Sequence, residues 1–571
     1  MYLKKLSANK ESFRDLVLEP NAINIILGSK STEDEKKTNT VNGVGKTLSM
    51  KLIDFCLGCS RDAHKEISKL TDWNFRLLIS CQGKDYEIVR GVDDASVYLD
   101  NKSVKLSELK SFLEAEAYRY VENYKHISFR GLISRNLRIP KEGYLEWNKY
   151  KKGETDERSL LLNSFILGFD VLLVLEKIRL KEEINKINTS MNLLKNNSEI
   201  KDAMSGSDIR IEITNLKKEI SDLKNKLNNF QISEGYNDIK AGIEKSTSEK
   251  NYLINQIVKH ENIIKSIDEN LKLEVDIEAN QVSELYKEAN VIFPREMLKN
   301  LNELSLFHEK LLAGRKARLV KDKKVYVVKI KKLKEQLNQV DKIINNSMEF
   351  IKDKVSTSEY EQLQGRLTEL NVMLARMQQY DLAINTMEIK KAEYTEEMAR
   401  NNTLSIKYIN EIDQVKLNNK FSKYVDYIYG ERKYSGIDIV NNSGDNKIRF
   451  DINVEIEDDD SGGIGNVKIF CMDMLMWNIQ NGDVQFLYHD GSLFAETDPR
   501  QCYRMLKIAD EMCINHNKQY IVNMNYDIFD NIIEAARASD DDMFAEKLEE
   551  CVKLKLYDTS PQDKLLGIQI K

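Results

Sequence analysis

The sequence predicts an α/β globular head built from the N- and C-terminal halves of the chain and joined by a long antiparallel α-helical coiled-coil hairpin. Three observations carry this reading. Strand-like apolar runs cluster at the two chain ends, the middle of the chain is nearly free of proline, and apolar residues recur there at alternating spacings of three and four.

A chain of 571 residues exceeds one ordinary core and implies more than one structural unit. Charged residues make up 31% and hydrophobic ones 41%, with a mean hydropathy of -0.50. That balance suits a soluble protein rich in exposed helix. The net charge of -6 excludes a uniformly basic nucleic-acid coat but leaves room for a local basic face. The start, MYLKKLSANK, lacks the apolar core of a secretory signal, and FILGFDVLLVLEKI is interrupted by Asp170 and too short for a bilayer. Seven scattered cysteines fit a reducing compartment, so the expected location is the cytoplasm, with no membrane partner.

Residues 1–165 form the first half of the head. NAINIILG, FRLLISC, DYEIVRG and SVYLD are apolar runs of strand length, the last closed by the turn signal DNK. The ascending arm is expected at 166–292, the hairpin tip at 293–312 around Pro294, and the descending arm at 313–420. Internal proline removes a helical hydrogen bond and clashes with the preceding turn, so its absence from both arms matters. Ile213, Leu216, Ile220, Leu223, Leu227 and Phe230 form one seam. Ile330, Leu333, Leu337, Val340 and Ile344 form a second, and Leu363, Leu367, Leu370, Leu374 and Met377 a third. Arms of about 115 residues at ~1.5 Å per residue give a rod on the order of 170 Å; a compact helical bundle is the alternative. Residues 421–571 supply the second half of the head through KIRFDINVEIE, VQFLYHD and QYIVNMN, with DKLLGIQIK as an expected closing strand.

The chemistry lies in NIILGSKSTEDEKKTNTVNGVGKTLSM. A phosphate-binding loop reads G-x-x-x-x-G-K-[ST], but Thr40 stands where the first glycine belongs, and the nearest earlier glycine is Gly28. SKSTEDEKKTNT then reads as a polar insertion between the strand-end glycine and the phosphate-gripping half. Gly28, Asn42, Gly43, Val44 and Gly45 would present backbone N–H groups, with the helix N-terminus adding its partial charge. Lys46 would reach the β- and γ-phosphates of ATP, and the Thr47 hydroxyl would bind Mg²⁺. VQFLYHD ends on Asp490, placed to hold the same Mg²⁺. Ser461, Gly462 and Gly463 open an apolar helix and form a second phosphate-binding end.

Together these features resemble the SMC-like branch of the ABC ATPases, and within it the short ATPases of bacterial three-component systems, including Lamassu-type antiphage and antiplasmid defence. NGVGKT…LIDFCLG, FLYHDGSLF, DPRQ and QYIVNMNYD carry the closer likeness. The resemblance implies an ABC-type ATPase head and a homodimer through ATP-bound heads, in which Ser461, Gly462 and Gly463 act on the partner head's ATP. It places Asp498 at the D-loop, Asn525 at the switch-histidine position, and Phe13 and Arg14 where the first strands approach the nucleotide. It also implies DNA, an effector subunit of nuclease type and a small accessory subunit as partners.

Three departures mark the chain. Gly491 stands where the family places its catalytic glutamate, HISFRGLISRNLRIP offers no Q-loop glutamine, and Asn525 replaces the histidine. The general base then falls to His489 or Glu496. Cys56 and Cys59 have metal-ligand spacing but no second pair, so packing is expected. No cysteine between Cys81 and Cys471 is available for a zinc hook. Lys310–Lys334 holds eleven basic residues and one acid, a DNA-phosphate grip or a solvated or protein-docking face. The function expected is an ATP-dependent DNA sensor or clamp controlling an effector in defence. The alternatives are a repair or chromosome-maintenance ATPase and a non-catalytic ATP-bound scaffold.

Overall fold

The computed structural model describes residues 1–29, 43–93, 96–118, 121, 124, 126–139, 142–151, 153–195, 208–228, 236–272, 301–351, 357–458, 462–480 and 482–568. Two compact units divide the chain, one drawn mainly from Met1–Lys181 and Ala399–Lys571, the other from within 182–279 and 305–398.

Twelve strands are described: β1 (Tyr2–Ala8), β2 (Leu16–Val17), β3 (Ile23–Ser29), β4 (Asn74–Cys81), β5 (Lys84–Gly91), β6 (Val97–Leu99), β7 (Lys102–Ser103), β8 (Ser435–Asn441), β9 (Phe450–Ile456), β10 (Phe486–Asp490), β11 (Gln519–Asn525) and β12 (Val552–Tyr557). The helices before residue 200 are α1 (Lys46–Cys56), α2 (Leu106–Ala117), α3 (Phe129–Leu132), α4 (Asp156–Leu167) and α5 (Val171–Lys195). Next come α6 (Ile209–Asn228), α7 (Tyr236–Lys272), α8 (Leu301–Ile351) and α9 (Thr357–Glu411). The last five are α10 (Gln414–Tyr429), α11 (Gly462–Ile479), α12 (Pro499–Asn515), α13 (Tyr526–Arg537) and α14 (Asp542–Glu550).

In the first unit, a parallel sheet runs β10-β11-β3-β12. Strand β3 from the N-terminal half thus lies between two strands from the C-terminal half. Ile23, Ile25, Ile26 and Leu27 are at most 1% exposed, as expected of a parallel strand covered on both faces. The pairing sets Asp490 beside Asn523 and Asn525 beside Gly28, so the C-terminal edge of the sheet collects all four. A second, antiparallel sheet runs β2-β1-β4-β5-β6-β7. Helix α1 packs its buried Leu48, Leu52, Ile53 and Phe55 into the head core. The expected closing strand at DKLLGIQIK is corrected: β12 is Val552–Tyr557, where Leu554 and Leu556 alternate inward. Residues 564–567 instead pass behind the glycine loop that precedes α1.

The second unit keeps the heptad seams. Ile213, Leu216, Ile220, Leu223 and Leu227 of α6 bury against Leu367, Leu370 and Met377 of α9. Ion pairs Arg210–Asp381 at 3.3 Å and Glu219–Arg366 at 3.4 Å make α6 and α9 antiparallel. Likewise Lys250–Asp341 at 2.8 Å and Glu261–Lys334 at 3.0 Å make α7 and α8 antiparallel, around Leu253, Val340, Ile344 and Met348.

A third set of contacts departs from a straight rod. Gln364 Nε2 donates to Thr247 Oγ1 at 3.2 Å, and Asn262 Nδ2 donates to Gln379 Oε1 at 2.6 Å. Fifteen residues separate 247 from 262 and 364 from 379, so α7 runs parallel to α9. Since α6 runs antiparallel to α9, the chain reverses between α6 and α7. The α7/α8 pair therefore lies alongside the α6/α9 pair, and Tyr360 packs against both apolar clusters. The expected 170 Å rod is corrected to helices packed as a bundle. The physical reason is that the heptads stop at QISEGY and again at KDKVSTS, so neither seam is continuous. Of the expected tip, 293–300 lie outside the described residues, as does Pro294, and 301–312 open α8.

The folded-back arrangement makes a direct prediction. With cysteines at Thr247 and Gln364, a short bis-maleimide reagent should join the two within one chain as efficiently as cysteines at Lys250 and Asp341. Crosslinking of the second pair alone would place the two helix pairs end to end.

Candidate functional site

At the C-terminal edge of the parallel sheet lies a cleft of about 860 Å³ lined by Gly43–Leu48, Asp490–Ser492, Asn523–Asn525 and Lys564, among others. Loops gather at this edge because parallel strands all end on the same side. Gly43 and Gly45 adopt left-handed φ values of 91° and 106°, which side-chain-bearing residues rarely tolerate. Between them Val44 is buried at 1% exposure. Helix α1 begins directly after, so its first N–H groups face the cleft.

The loop is braced from behind. Leu565 N–H donates to Val44 O at 3.0 Å, and Arg14 N–H donates to Leu565 O at 2.9 Å. Arg14 Nη1 donates to Asp563 O at 3.1 Å, while a Cβ on Gly45 would overlap Leu565 Cβ. Phe13 packs edge-on against Phe75 and Trp73 in the core. Neither Phe13 nor Arg14 lines the cleft, in contrast to their expected approach to the nucleotide: Arg14 braces the tail that holds the loop, and Phe13 packs in the core.

Inside the cleft, Thr47 Oγ1 donates to Asp490 Oδ2 at 3.0 Å across 443 residues of sequence. Lys46 folds back over the strand end, where a Cβ on Gly28 would overlap its amine. Burial pulls the Lys46 pKa below the ordinary lysine value, and Asp490 opposes that shift. An anion in the cleft would favour the charged amine further. Left-handed glycines, a helix start, a desolvated lysine and a hydroxyl–carboxylate pair fit a phosphate chain with a divalent cation. Asn42 and Ser461 lie outside the described residues.

Asn525 lines the cleft at the start of α13. Sequence reasoning missed Asn523, two positions earlier on the same strand face. It is 1% exposed and lines the cleft; its Oδ1 accepts from Gly491 N at 3.4 Å, and its Nδ2 is left without a hydrogen bond. The i, i+2 spacing of the asparagines in QYIVNMN was the available signal. The rim also carries the ion pairs Lys51–Glu66 at 2.8 Å and Lys564–Asp558 at 2.7 Å.

Two expected bases are not in this cleft. His489 is fully buried on the opposite face of β10, its Nδ1 2.9 Å from Tyr520 OH and its Nε2 3.0 Å from Asp473 Oδ2. Alternation along the strand sends it away from Asp490. Glu496 is exposed and packs against the opening of α11, where Cβ atoms on Gly462 and Gly463 would meet its carboxylate and its carbonyl. Asp498 caps α12 through Arg500 N–H at 2.8 Å and pairs with the Arg500 guanidinium. It too lies outside the cleft lining.

Gly491 is required for packing. A Cβ there would lie 2.7 Å from Asn523 O and 2.9 Å from Met524 Cα, both in the backbone of β11. Elsewhere in the head, Asp54, Cys59 and His64 bring donor atoms within 4.8 Å of one another. Arg130 Nη2 already donates to Asp54 at 2.6 Å, so a guanidinium supplies the cation. Cys56 is buried in the core, and burial pushes the Cys59 thiol up to about 12, in keeping with packing roles.

A family described as an uncharacterised protein conserved in bacteria (DUF2326) matches residues 424–570. No curated protein matches the chain. Among solved structures, the Smc head domain with a coiled coil and joint from Pyrococcus yayanosii is 14% identical, covering 94% of this chain and 93% of that one, with a TM-score of 0.35. The Smc head domain with an extended coiled coil bound to the C-terminal domain of ScpA, from Pyrococcus furiosus, is 12% identical. It covers 94% of this chain and 91% of that one, with a TM-score of 0.32. At such identities and scores the chemistry of this site rests on its own geometry.

Gly491 in the cleft and Gly28 at the end of β3 should respond differently to a methyl group. Gly491→Ala pushes against backbone and should destabilise the head by about 1–3 kcal/mol, as overpacking does. Gly28→Ala meets only the flexible end of Lys46, so the unfolding midpoint should hold while the amine is displaced. Equal midpoints for both variants in thermal unfolding would refute this account.

Proposed function

We propose that the head binds ATP with Mg²⁺ in this cleft and hydrolyses it slowly. The observation that carries the reading is the meeting of Thr47 and Asp490, from opposite ends of the chain, beside Lys46. In this reading Gly43, Val44 and Gly45 hold phosphate oxygens with backbone N–H groups, and Lys46 pairs with the β- and γ-phosphates. Thr47 and Asp490 hold the metal ion, which when bound polarises the terminal phosphate. Asn523 and Asn525 face the terminal phosphate or its attacking water.

Among the described cleft residues, none beside Asp490 replaces the missing glutamate as a base. Glu66 and Asp558 are held by Lys51 and Lys564, and His489 is sequestered. Losing a positioned base typically costs a factor of about 10² to 10⁴ in rate. Glu496 stands beside Gly462 and Gly463, the glycines proposed to meet a partner head's ATP. In this reading it acts across a homodimer formed through ATP-bound heads. Slow turnover suits a switch that fires rarely. It also supports a second reading, in which ATP serves as structural glue in a scaffold.

The wider role proposed is an SMC-like DNA sensor or clamp that holds or releases an effector of nuclease type, with a small accessory subunit, in defence against phage or plasmids. Supporting it, Arg318, Lys321, Lys324, Lys329, Lys331 and Lys332 are exposed on α8. Lys323 and Lys334 of the same run are engaged by Asp268 and Glu261. No described helix is long and apolar enough to cross a membrane.

Lys46→Ala should abolish ATP binding while leaving the thermal midpoint in place; unchanged affinity by calorimetry would refute the nucleotide site. Wild-type turnover below the binding-site exchange rate, and lower still in Glu496→Gln, is the outcome expected for a base acting across the dimer.

Neutralising these six exposed residues should flatten the salt dependence of DNA binding, since log affinity falls by about 0.9 per phosphate contact for each unit of log salt. An unchanged slope would assign that face to solvent or to a protein partner.

A further inference from the structure

On the face of β10 away from the cleft lies a fully buried polar cluster that the nucleotide reading leaves unused. Its centre is Asp473, in the middle of α11. Arg138 grips both carboxylate oxygens, Nε to Oδ2 at 2.7 Å and Nη2 to Oδ1 at 2.7 Å. Tyr150 OH donates to Oδ1 at 2.6 Å, and His489 Nε2 lies 3.0 Å from Oδ2. A carboxylate can only accept, so Nε2 carries the proton, Nδ1 is the acceptor, and Tyr520 OH donates to it at 2.9 Å. Every polar contact in the cluster then has a donor and an acceptor.

The same cluster reaches the cleft through the backbone of Asp490. Asp490 N–H donates to Tyr144 OH at 2.7 Å, and Tyr144 OH donates to Arg138 O at 3.2 Å. Arg138 N–H donates to Tyr488 O at 3.3 Å, while Tyr488 N–H donates to Asn136 O at 2.8 Å. Residues 136–138 therefore extend the parallel sheet beyond β10 by a short bridge. Arg138 Nη2 also donates to Trp147 O at 2.8 Å, fastening the segment that carries Tyr144. The end of β10 is thus held from two sides: by Tyr144 on its backbone, and by Asp473 through the neighbouring His489.

The geometry points to Tyr144, with the Arg138–Asp473–His489 cluster behind it, as the positioning device that sets Asp490 against Thr47 for the divalent cation and ties that strand end to the helix opening at Gly462. This inference rests on the nucleotide reading above. It assigns no chemistry to His489 or Asp473. Their work is to fix a strand end, because a hydroxyl–carboxylate pair must sit within tenths of an ångström to hold a small hard cation. The device also explains why a histidine precedes the metal-binding aspartate. Buried among aromatic rings, it is the one hydrogen-bonding link from β10 to the α11 carboxylate among the described residues.

The test separates metal-dependent from metal-independent binding. Asp473→Asn and Arg138→Lys disturb a buried ion pair and risk the fold, so the informative variants are Tyr144→Phe and His489→Gln. ATP affinity is measured in Mg²⁺ and in EDTA, together with ATP-dependent self-association. Both variants should bind ATP in EDTA within about threefold of wild type and lose about tenfold of the Mg²⁺ enhancement, with self-association weakened in parallel. An undiminished Mg²⁺ enhancement in Tyr144→Phe overturns the proposal, as does an equal loss of affinity in EDTA, which would mark a structural role only. A wild-type protein that binds no ATP, or gains nothing from Mg²⁺, overturns the nucleotide reading and this proposal together.

Discussion

Strand β3 has no partner near it in sequence, and the head depends on how that is resolved. Its neighbours β11 and β12 begin roughly five hundred residues later, and its seven residues are buried on both faces up to the last. A parallel strand left without neighbours would strand its backbone N–H and C=O groups in an apolar setting, at about 1–3 kcal/mol for each unsatisfied group. The N-terminal half therefore has no complete parallel sheet of its own, and the chain must close on itself before a cleft exists. Closing so long a loop costs entropy that grows only slowly with length, so the long middle segment is tolerated.

From that closure the site chemistry follows. Pairing β11 with β3 puts Asn525 beside Gly28, and pairing β10 with β11 puts Asp490 beside Asn523. The glycine loop before α1 then needs only a brace, supplied by Leu565 and Arg14, which are themselves from opposite chain ends. Gly28 and Gly491 mark two of the close approaches around the cleft, one to a lysine amine and one to the backbone of β11. The second explains why no glutamate follows Asp490: the space that its Cβ needs is filled by a neighbouring strand. The slow turnover proposed for this head would follow from packing as much as from residue choice.

Much of this was legible in sequence, and the failures have physical causes. Runs such as NAINIILG and QYIVNMN announce buried strands because both faces are apolar. Strand β1 did not announce itself, because an irregularity between Leu3 and Lys5 buries Leu3 and Leu6 at a helix-like spacing of three. The closing strand was misplaced although VKLKLY alternates plainly, since the glycine-containing tail beyond it is equally apolar. Heptads correctly marked which helix faces bury, but heptads are local. They carry no information on whether two coiled pairs lie end to end or side by side, which here depends on contacts such as Thr247 with Gln364. Lys46, Thr47 and Asp490 were readable because their spacing is chemical. The Asp473 cluster was not, because its members lie far apart in sequence and match no motif.

The central claim is that Thr47 and Asp490, from the two ends of the chain, act as one metal-holding unit. A double-mutant cycle on Mg²⁺-dependent ATP affinity with Thr47→Val and Asp490→Asn tests it most directly. The account predicts strong non-additivity, the double variant losing little more than the worse single one. Losses that simply add would show that the two residues work independently and would contradict it.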